Sequence, residues 1–249
     1  MPTDPERVRL SLIQGFQLSQ GDRSVVLPLG AQRLIAFLAL QNRAVLRVVV
    51  AGNLWLDKPE RVACASLRSA LWQLRRSGLD IVAVTPGHLQ LSACLFVDVW
   101  EIMTHAEQVI QGVGGLGPQP HHLLTGELLP DWYEDWVSIE RELIRQVRLH
   151  ALEAMGHRLI EQGRVIQAIE AGLAAVAADP LRESAHRLVI SAHQAEGNHS
   201  EALRQYRTYV HLLDESLGIR PSERMAALIG SMRDPHVDAS RGLRSGQGR

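Results

Sequence analysis

A spacing of 34 residues in the C-terminal half restricts the folds open to this chain more than any other feature of its sequence. Four residue pairs show this spacing: Gly163 and Gly197, Ala168 and Ala202, Ala151 and Ala185, and Met155 and Val189. The same period characterises the tetratricopeptide repeat, in which paired helices stack and bury a shared core. Two helical hairpins of similar length would match by chance, but the agreement of four pairs favours the repeat. Repeats of this kind bind proteins or peptides in a groove and rarely carry out chemistry.

Helical periodicity extends over most of the chain after Pro130. Apolar residues recur at three- and four-residue steps, and the pattern continues almost to Arg233. Pro130 and Asp131 suit a helix N-terminus, where a missing N–H is harmless and a negative charge is favoured. A further helix is expected over 98–111. The glycines and prolines of residues 112–120 end that helix and predict a flexible loop within the second domain.

Residues 63–76 predict a helix with one buried face and one polar face. At helical spacing the apolar residues share one side, which carries Ala63, Leu67, Ala70, Leu71 and Leu74. The other side carries Arg68, Ser69, Trp72, Gln73, Arg75 and Arg76. Arginine contacts guanine edges or phosphates, glutamine pairs with adenine and serine contacts either, so this side has the chemistry of a DNA recognition helix. Taken alone, the pattern fits an ordinary amphipathic helix with a solvated basic face more often.

The segments around this helix predict a winged helix-turn-helix. Three short strands are expected within 7–27, followed by helices over 31–41 and about 48–55. After the basic helix, residues 81–91 read as a β-hairpin around Thr-Pro-Gly. In this order the third helix would enter the major groove, and the hairpin would lie against the backbone or minor groove. His88 lies where such a wing can touch phosphate, although a plain loop histidine is the simpler explanation.

Positive and negative charges are divided between the two parts of the chain. Residues 1–96 contain 11 lysines and arginines against 6 acidic residues, a net charge of +5, whereas residues 97–249 contain 15 against 21, a net charge of −6. Lys58 is the only lysine, so nearly all positive charge is on arginine, which suits bidentate phosphate and base contacts.

Taken together, these patterns predict a mainly α fold with a small β component: a winged helix-turn-helix domain at 1–96, an all-α tetratricopeptide-like domain at 97–233 and a flexible tail at 234–249.

Short motifs in both predicted domains carry a family resemblance. In the first domain they are Leu54–Asp57, Pro59–Glu60 and Leu67–Arg76. In the second they are Gly126–Val137, Glu140–Arg141, Asp179–Leu188, Gly197–Asn198, Glu201–Tyr206 and Leu217–Ser222. Over roughly residues 7–232 the chain resembles the Streptomyces antibiotic regulatory proteins, which are bacterial transcriptional activators with a winged domain followed by a bacterial transcriptional activation domain. The chain departs from the family at Ser66, where relatives often carry asparagine.

The resemblance implies a regulator that binds direct repeats in double-stranded DNA upstream of a promoter. It further implies a helical domain that contacts RNA polymerase or arranges neighbouring protomers on DNA, and control of a secondary-metabolite gene cluster. From the phase of the helix, we expect Arg68 and Gln73 to lie nearer the base edges. Arg75 and Arg76 are expected nearer the phosphates.

The sequence shows no catalytic, metal-binding or cofactor-binding pattern, and we expect the protein not to be an enzyme. Cys64 and Cys94 are isolated thiols, and His186 and His193 have no third ligand at metal spacing. No run approaches the roughly 18 apolar residues of a membrane span, and a cytoplasmic location is expected. Two alternatives stay open. One is a helical-repeat adaptor whose winged domain binds protein and not DNA, and the other is a sensor whose repeat groove binds a small molecule.

Overall fold

The structure, a computed structural model, describes residues 8–117, 121 and 124–233. The predicted flexible tail at 234–249 lies outside the described residues, and so does the end of the predicted glycine-rich loop at 118–120. Within the part of the chain that is described, no helix is both long enough and apolar enough to cross a membrane.

The chain forms two compact units. The N-terminal unit comprises the chain up to His105 together with Gly126–Val147, and the helical unit comprises Ala106–Thr125 together with the chain from Arg148 onward. The N-terminal unit therefore extends past residue 96, where the first domain was predicted to end. The functional domain boundaries remain a prediction.

The N-terminal unit combines two small sheets with helices. Its regular elements before residue 98 are β1 (Val8–Ser11), β2 (Gln17–Gln20), β3 (Arg23–Ser24), α1 (Leu29–Gln41), β4 (Val45–Leu46), α2 (Arg47–Leu54), α3 (Glu60–Arg76), β5 (Val82–Val84), β6 (His88–Leu91) and β7 (Phe96–Val97). One sheet has the order β3-β2-β1-β7, and the other has the order β4-β6-β5. The three strands expected within 7–27 are present. The short strand β7, which pairs in parallel with β1, was not predicted, because two residues give no detectable alternation.

The core of the N-terminal unit is built around α1. This helix buries residues on several sides: Ala31, Leu34, Ile35, Ala36, Phe37, Leu38 and Ala39. In the first sheet, Leu10 lies opposite Leu18 in the antiparallel β1–β2 pair, and both side chains are buried. The apolar faces of α2 and α3 pack into the same core. This burial fixes which face of α3 points inward, and therefore which face is left for a partner.

Residues 126–147 complete the N-terminal unit, and here the helix predicted to begin at Pro130 is wrong. The helix α5 (Asp135–Glu161) begins five residues later. Pro130 lies in a turn in which the Trp132 N–H donates to the Leu129 carbonyl at 3.0 Å. Trp132 stacks on Phe16 with 6.0 Å between ring centroids. Trp132 and Trp136 are four residues apart, which is the spacing of a helix, although Trp132 packs against the core from a turn.

The predicted repeat corresponds to two helical hairpins in the helical unit. After α4 (Asp98–Ile110) and α5, the helices are α6 (Val165–Ala178), α7 (Glu183–Ala195), α8 (His199–Leu217) and α9 (Glu223–Arg233). Gly163 and Gly197 precede α6 and α8 with φ values of 71° and 81°, a region that favours glycine. Ala168 and Ala202, at equivalent positions of α6 and α8, are both buried. The small side chains allow close packing between helices, as the spacing predicted.

The arrangement confirms the predicted fold class. Three helices, α1 to α3, are followed by the β5–β6 hairpin, which is the order of a winged helix-turn-helix. The helices after Asp135 form tetratricopeptide-like hairpins, and the strands named above all belong to the N-terminal unit.

Candidate nucleic-acid interface

The candidate interface is centred on α3, whose limits follow from its local sequence. Pro59 immediately precedes the helix, in an extended conformation. Glu60 lies in the first turn and Arg75 and Arg76 lie in the last, so that charge at both ends complements the helix dipole. Gly78, at φ +81°, follows the end of the helix. The helix thus begins three residues earlier than predicted.

The predicted division of α3 into two faces is confirmed for its buried side. That side consists of Ala63, Leu67, Ala70, Leu71 and Leu74, each at most 7% exposed. On the other side, Arg68, Ser69, Trp72, Arg75 and Arg76 are exposed and Gln73 is half-buried. The fold therefore brings the predicted DNA-contacting residues of α3 to one surface. Their binding to DNA remains a prediction.

The arginines of α3 differ from an arginine that supports the same unit from within. Arg33 donates to the Leu54 carbonyl at 2.7 Å, and its Nε lies 3.0 Å from Glu134 Oε1. It is therefore committed to structure. By contrast, within the described part of the chain the salt bridges include none of the α3 arginines, namely Arg61, Arg68, Arg75 and Arg76. Their charges are solvated and accessible to an anionic partner.

Trp72 and Arg76 form the one side-chain pair described within this exposed surface. The Arg76 guanidinium carbon lies 4.8 Å from the centroid of the Trp72 ring, which is the geometry of a cation–π contact. Trp72 is 57% exposed, so the ring is not part of the core. At the edge of the helix, Lys58 Nζ donates to Ser66 Oγ at 3.3 Å. Ser66, where relatives often carry asparagine, is therefore engaged within the protein.

The β5–β6 hairpin forms a wing next to α3 in the sequence, and His88 begins its second strand directly after the turn. Thr85 N donates to the His88 carbonyl at 3.0 Å, and His88 N donates to Thr85 Oγ1 at 3.0 Å. These two bonds close the turn that contains Pro86 and Gly87. The His88 side chain is exposed, and residues 79–91 contain no lysine or arginine. A phosphate contact by this wing would therefore depend on His88, Thr85 or backbone N–H groups.

Two residues of the exposed α3 surface, Arg61 and Ala65, were not among those predicted from the sequence. Both are exposed, and at helical spacing they share the side of the helix that carries Trp72. Arg61 was missed because the helix was expected to begin at Ala63, which placed Arg61 in a turn. Ala65 was missed because its side chain has no polar group that would suggest a contact with DNA. Pro59 followed by Glu60 is the signal that would have found Arg61, since proline and an acidic residue commonly open a helix.

Two histidines of the helical unit, His186 and His193, have partners within the protein. His186 is 1% exposed, and its Nε2 and Nδ1 lie 2.9 Å from the Pro180 carbonyl and from Gln205 Nε2. Burial lowers the pKa of His186 below its ordinary value. His193, seven residues further along α7, lies with its Nδ1 3.7 Å from Glu196 Oε2. Within the described residues, no group of three or more potential ligands is placed to hold a metal ion.

Comparison with known proteins agrees with this architecture. Residues 121–233 match the family described as the bacterial transcriptional activator domain. Among solved structures, the chain is similar to EmbR of Mycobacterium tuberculosis in complex with a low-affinity phosphopeptide, with a TM-score of 0.72 and 23% sequence identity. That match covers 95% of this chain and 68% of the EmbR chain, and it shows the fold. A search of curated proteins gave no match.

Residues 121–233 therefore match a bacterial transcriptional activator domain, and they follow an N-terminal unit with the element order of a winged helix-turn-helix. The domain match and the shared fold support the resemblance of the sequence to the Streptomyces antibiotic regulatory proteins.

Proposed function

We propose that the chain binds duplex DNA in a sequence-specific manner through α3 and activates transcription from neighbouring promoters by recruiting RNA polymerase. Its sites would be direct repeats, and its targets would be genes of a secondary-metabolite cluster. The proposed contacts are Arg68, Ser69, Trp72, Gln73, Arg75 and Arg76 on α3 and His88 on the wing. The proposed sites and targets rest on the family resemblance alone. The role of α3 is supported by the exposure and the charge of its outward side chains as well.

The observation that carries the proposal is the accessible positive charge on α3. Its arginines protrude from a face whose opposite side is buried in the core, and they form no ion pair among the described residues. A major groove of about 12 Å admits one α-helix, and arginine recognises both phosphates and guanine edges. A purely structural helix would gain nothing from keeping these charges apart from every carboxylate.

The first test is selection of the full chain on random-sequence duplexes, at low and near-physiological salt. Enrichment of a repeated motif is expected. In the selected duplex, replacing Arg68 by alanine should weaken binding and relax the choice of base at one position, by a factor of about 5 to 150 for a lost bidentate contact of roughly 1–3 kcal/mol. Failure to enrich any motif would refute the proposal and favour the adaptor.

Salt dependence separates a DNA contact from a protein contact. When a protein binds DNA through phosphates, log Kd rises linearly with the logarithm of the salt concentration, with a slope of about 0.9 for each phosphate contact. We expect Arg75→Gln to reduce this slope by about 0.9. The matched control is Arg23→Gln, because Arg23 is an exposed arginine on β3 and is not part of α3. An equal change of slope in both variants would show that α3 has no special role.

Activation is tested by transcription in vitro with purified RNA polymerase on a template that carries the selected repeats. Added wild-type protein should raise transcript yield, and Arg68→Ala should not. Templates with one repeat and with two repeats test self-association on DNA, because cooperative binding requires both. If the protein binds the repeats but leaves transcript yield unchanged, recruitment of polymerase is wrong and only DNA binding stands. A small molecule that raises thermal stability would instead favour the sensor.

A further inference from the structure

The centre of the exposed α3 surface is partly apolar, which is unusual for a surface meant only to meet phosphate. An ideal helix turns by about 100° per residue, so each side chain can be placed relative to the five buried ones. Ala65, Trp72 and Arg76 then lie within about 25° of the direction directly opposite the buried face. Gln73 and Arg75 lie roughly 80° from that direction. A helix in a major groove would therefore present Ala65, Trp72 and Arg76 to the groove floor, and two of these three side chains are largely apolar.

The Trp72 ring has a defined environment on this surface. The Arg76 guanidinium covers it at 4.8 Å, and the ring is 57% exposed. A tryptophan offers a single N–H donor and a large apolar surface, so it is poorly suited to read the polar edges of bases. The apolar group that the major groove presents is the 5-methyl group of thymine. The Arg76 guanidinium, held against the ring, lies beside whatever base the ring touches.

We propose that Trp72 is a specificity-determining residue that reads a thymine 5-methyl group, with Ala65 completing the apolar contact. This inference rests on the proposed function, since it requires that α3 enter the major groove. It predicts at least one thymine within the core of each repeat. Arg76 acts on the neighbouring base or phosphate from the position in which the Trp72 ring holds it.

The test replaces each thymine of the selected duplex, one at a time, by deoxyuridine. This substitution removes only the methyl group and leaves the hydrogen-bonding edge intact. At one or two positions we expect the affinity of the wild-type protein to fall about fourfold, the factor that corresponds to one buried methyl group. In Trp72→Ala the same deoxyuridine duplexes should bind as well as their thymine parents. Trp72→Phe keeps an aromatic face and should retain most of the discrimination.

The control variant is Tyr133→Ala, which removes an aromatic ring that is 87% exposed and lies outside α3. It should discriminate thymine from deoxyuridine as the wild type does. Thermal unfolding of each variant verifies that it is folded. The inference is overturned if the repeat contains no thymine, if no deoxyuridine duplex binds more weakly, or if Trp72→Ala still discriminates. Absence of any selected motif would instead refute the proposed function itself.

Discussion

Leu188 of α7 packs against two helical glycines, and this contact gives a sharp test of how the helical unit is held together. A methyl group added to Gly156 of α5 would lie 2.8 Å from Leu188 Cδ1, 3.0 Å from its Cγ and closer still to its Cδ2. Leu188 is fully buried, so it cannot turn into solvent. Overpacking of this kind costs about 1–3 kcal/mol, whereas alanine in place of a helical glycine contributes about 0.8–1 kcal/mol. Because two of the contacts to Leu188 are shorter than 3.0 Å, the cost should lie in the upper part of that range, at about 2–3 kcal/mol, and we expect Gly156→Ala to lower the free energy of unfolding by about 1–2 kcal/mol.

The assay is urea unfolding followed by circular dichroism, with thermal unfolding as a second measure. The matched control is Gly230→Ala in α9, where an added methyl group meets no atom within 4 Å. That variant should be more stable than the wild type by about 0.5–1 kcal/mol. The double variant Gly156→Ala, Leu188→Ala should lose less stability than the sum of the losses in the two single variants, because the new methyl group occupies part of the leucine's space. If Gly156→Ala is stabilised like Gly230→Ala, the packing argument is refuted.

Two further predictions concern polar side chains inside the fold, the half-buried Asp98 and the buried His186. The Asp98 carboxylate accepts hydrogen bonds from the backbone N–H groups of Leu12, Ile13 and Val99 at 2.7–3.1 Å. Asp98→Ala should therefore lower the free energy of unfolding in urea by about 2–3 kcal/mol. Asp98→Asn, which keeps one acceptor, should lower it by less. Because burial lowers the pKa of His186 from 6.5, the unfolded chain binds a proton that the native protein does not, and stability should fall as pH drops below 6.5. Urea unfolding at pH 7.5 and 5.5 should show a smaller fall for His186→Gln than for the wild type, while replacement of the exposed His211 by glutamine should leave the fall unchanged.

The spacing of apolar residues was sufficient to predict an element and its buried face wherever the element is long and only one of its sides is buried. The inward face of α3 could be predicted residue by residue, because five apolar residues share one side at helical spacing and all the arginines lie outside that side. The repeat could be read from Gly163 and Gly197, because both glycines occupy left-handed turns that other residues adopt at a cost. In each case a local rule and the tertiary structure require the same residue.

Periodicity failed where tertiary contacts decide the local structure. Trp132 and Trp136 have helical spacing, yet only Trp136 is in α5, while Trp132 reaches the core from a turn and stacks on Phe16. The partners of His186 show the same limit, since its ring lies 4.3 Å from the ring of Tyr209, which is 23 positions further along the chain and belongs to α8. No local pattern specifies which distant side chain fills such a space. These contacts become visible only once the helices are packed.

The same distinction applies to the candidate interface: the side of the helix on which a residue lies could be predicted, and the residue's contacts could not. The sequence sufficed to predict that Arg68, Trp72 and Arg76 share an outward surface, because the phase of a helix follows from its buried residues. It did not suffice to rank them, because exposure and side-chain contacts, such as the one between Trp72 and Arg76, are visible only in the folded chain. The centre of the surface falls at Ala65, Trp72 and Arg76, and Gln73 is half-buried at the flank. We therefore expect Gln73 to contact DNA from the flank, so that Gln73→Ala should weaken binding but leave the preferred motif largely unchanged in selection on DNA.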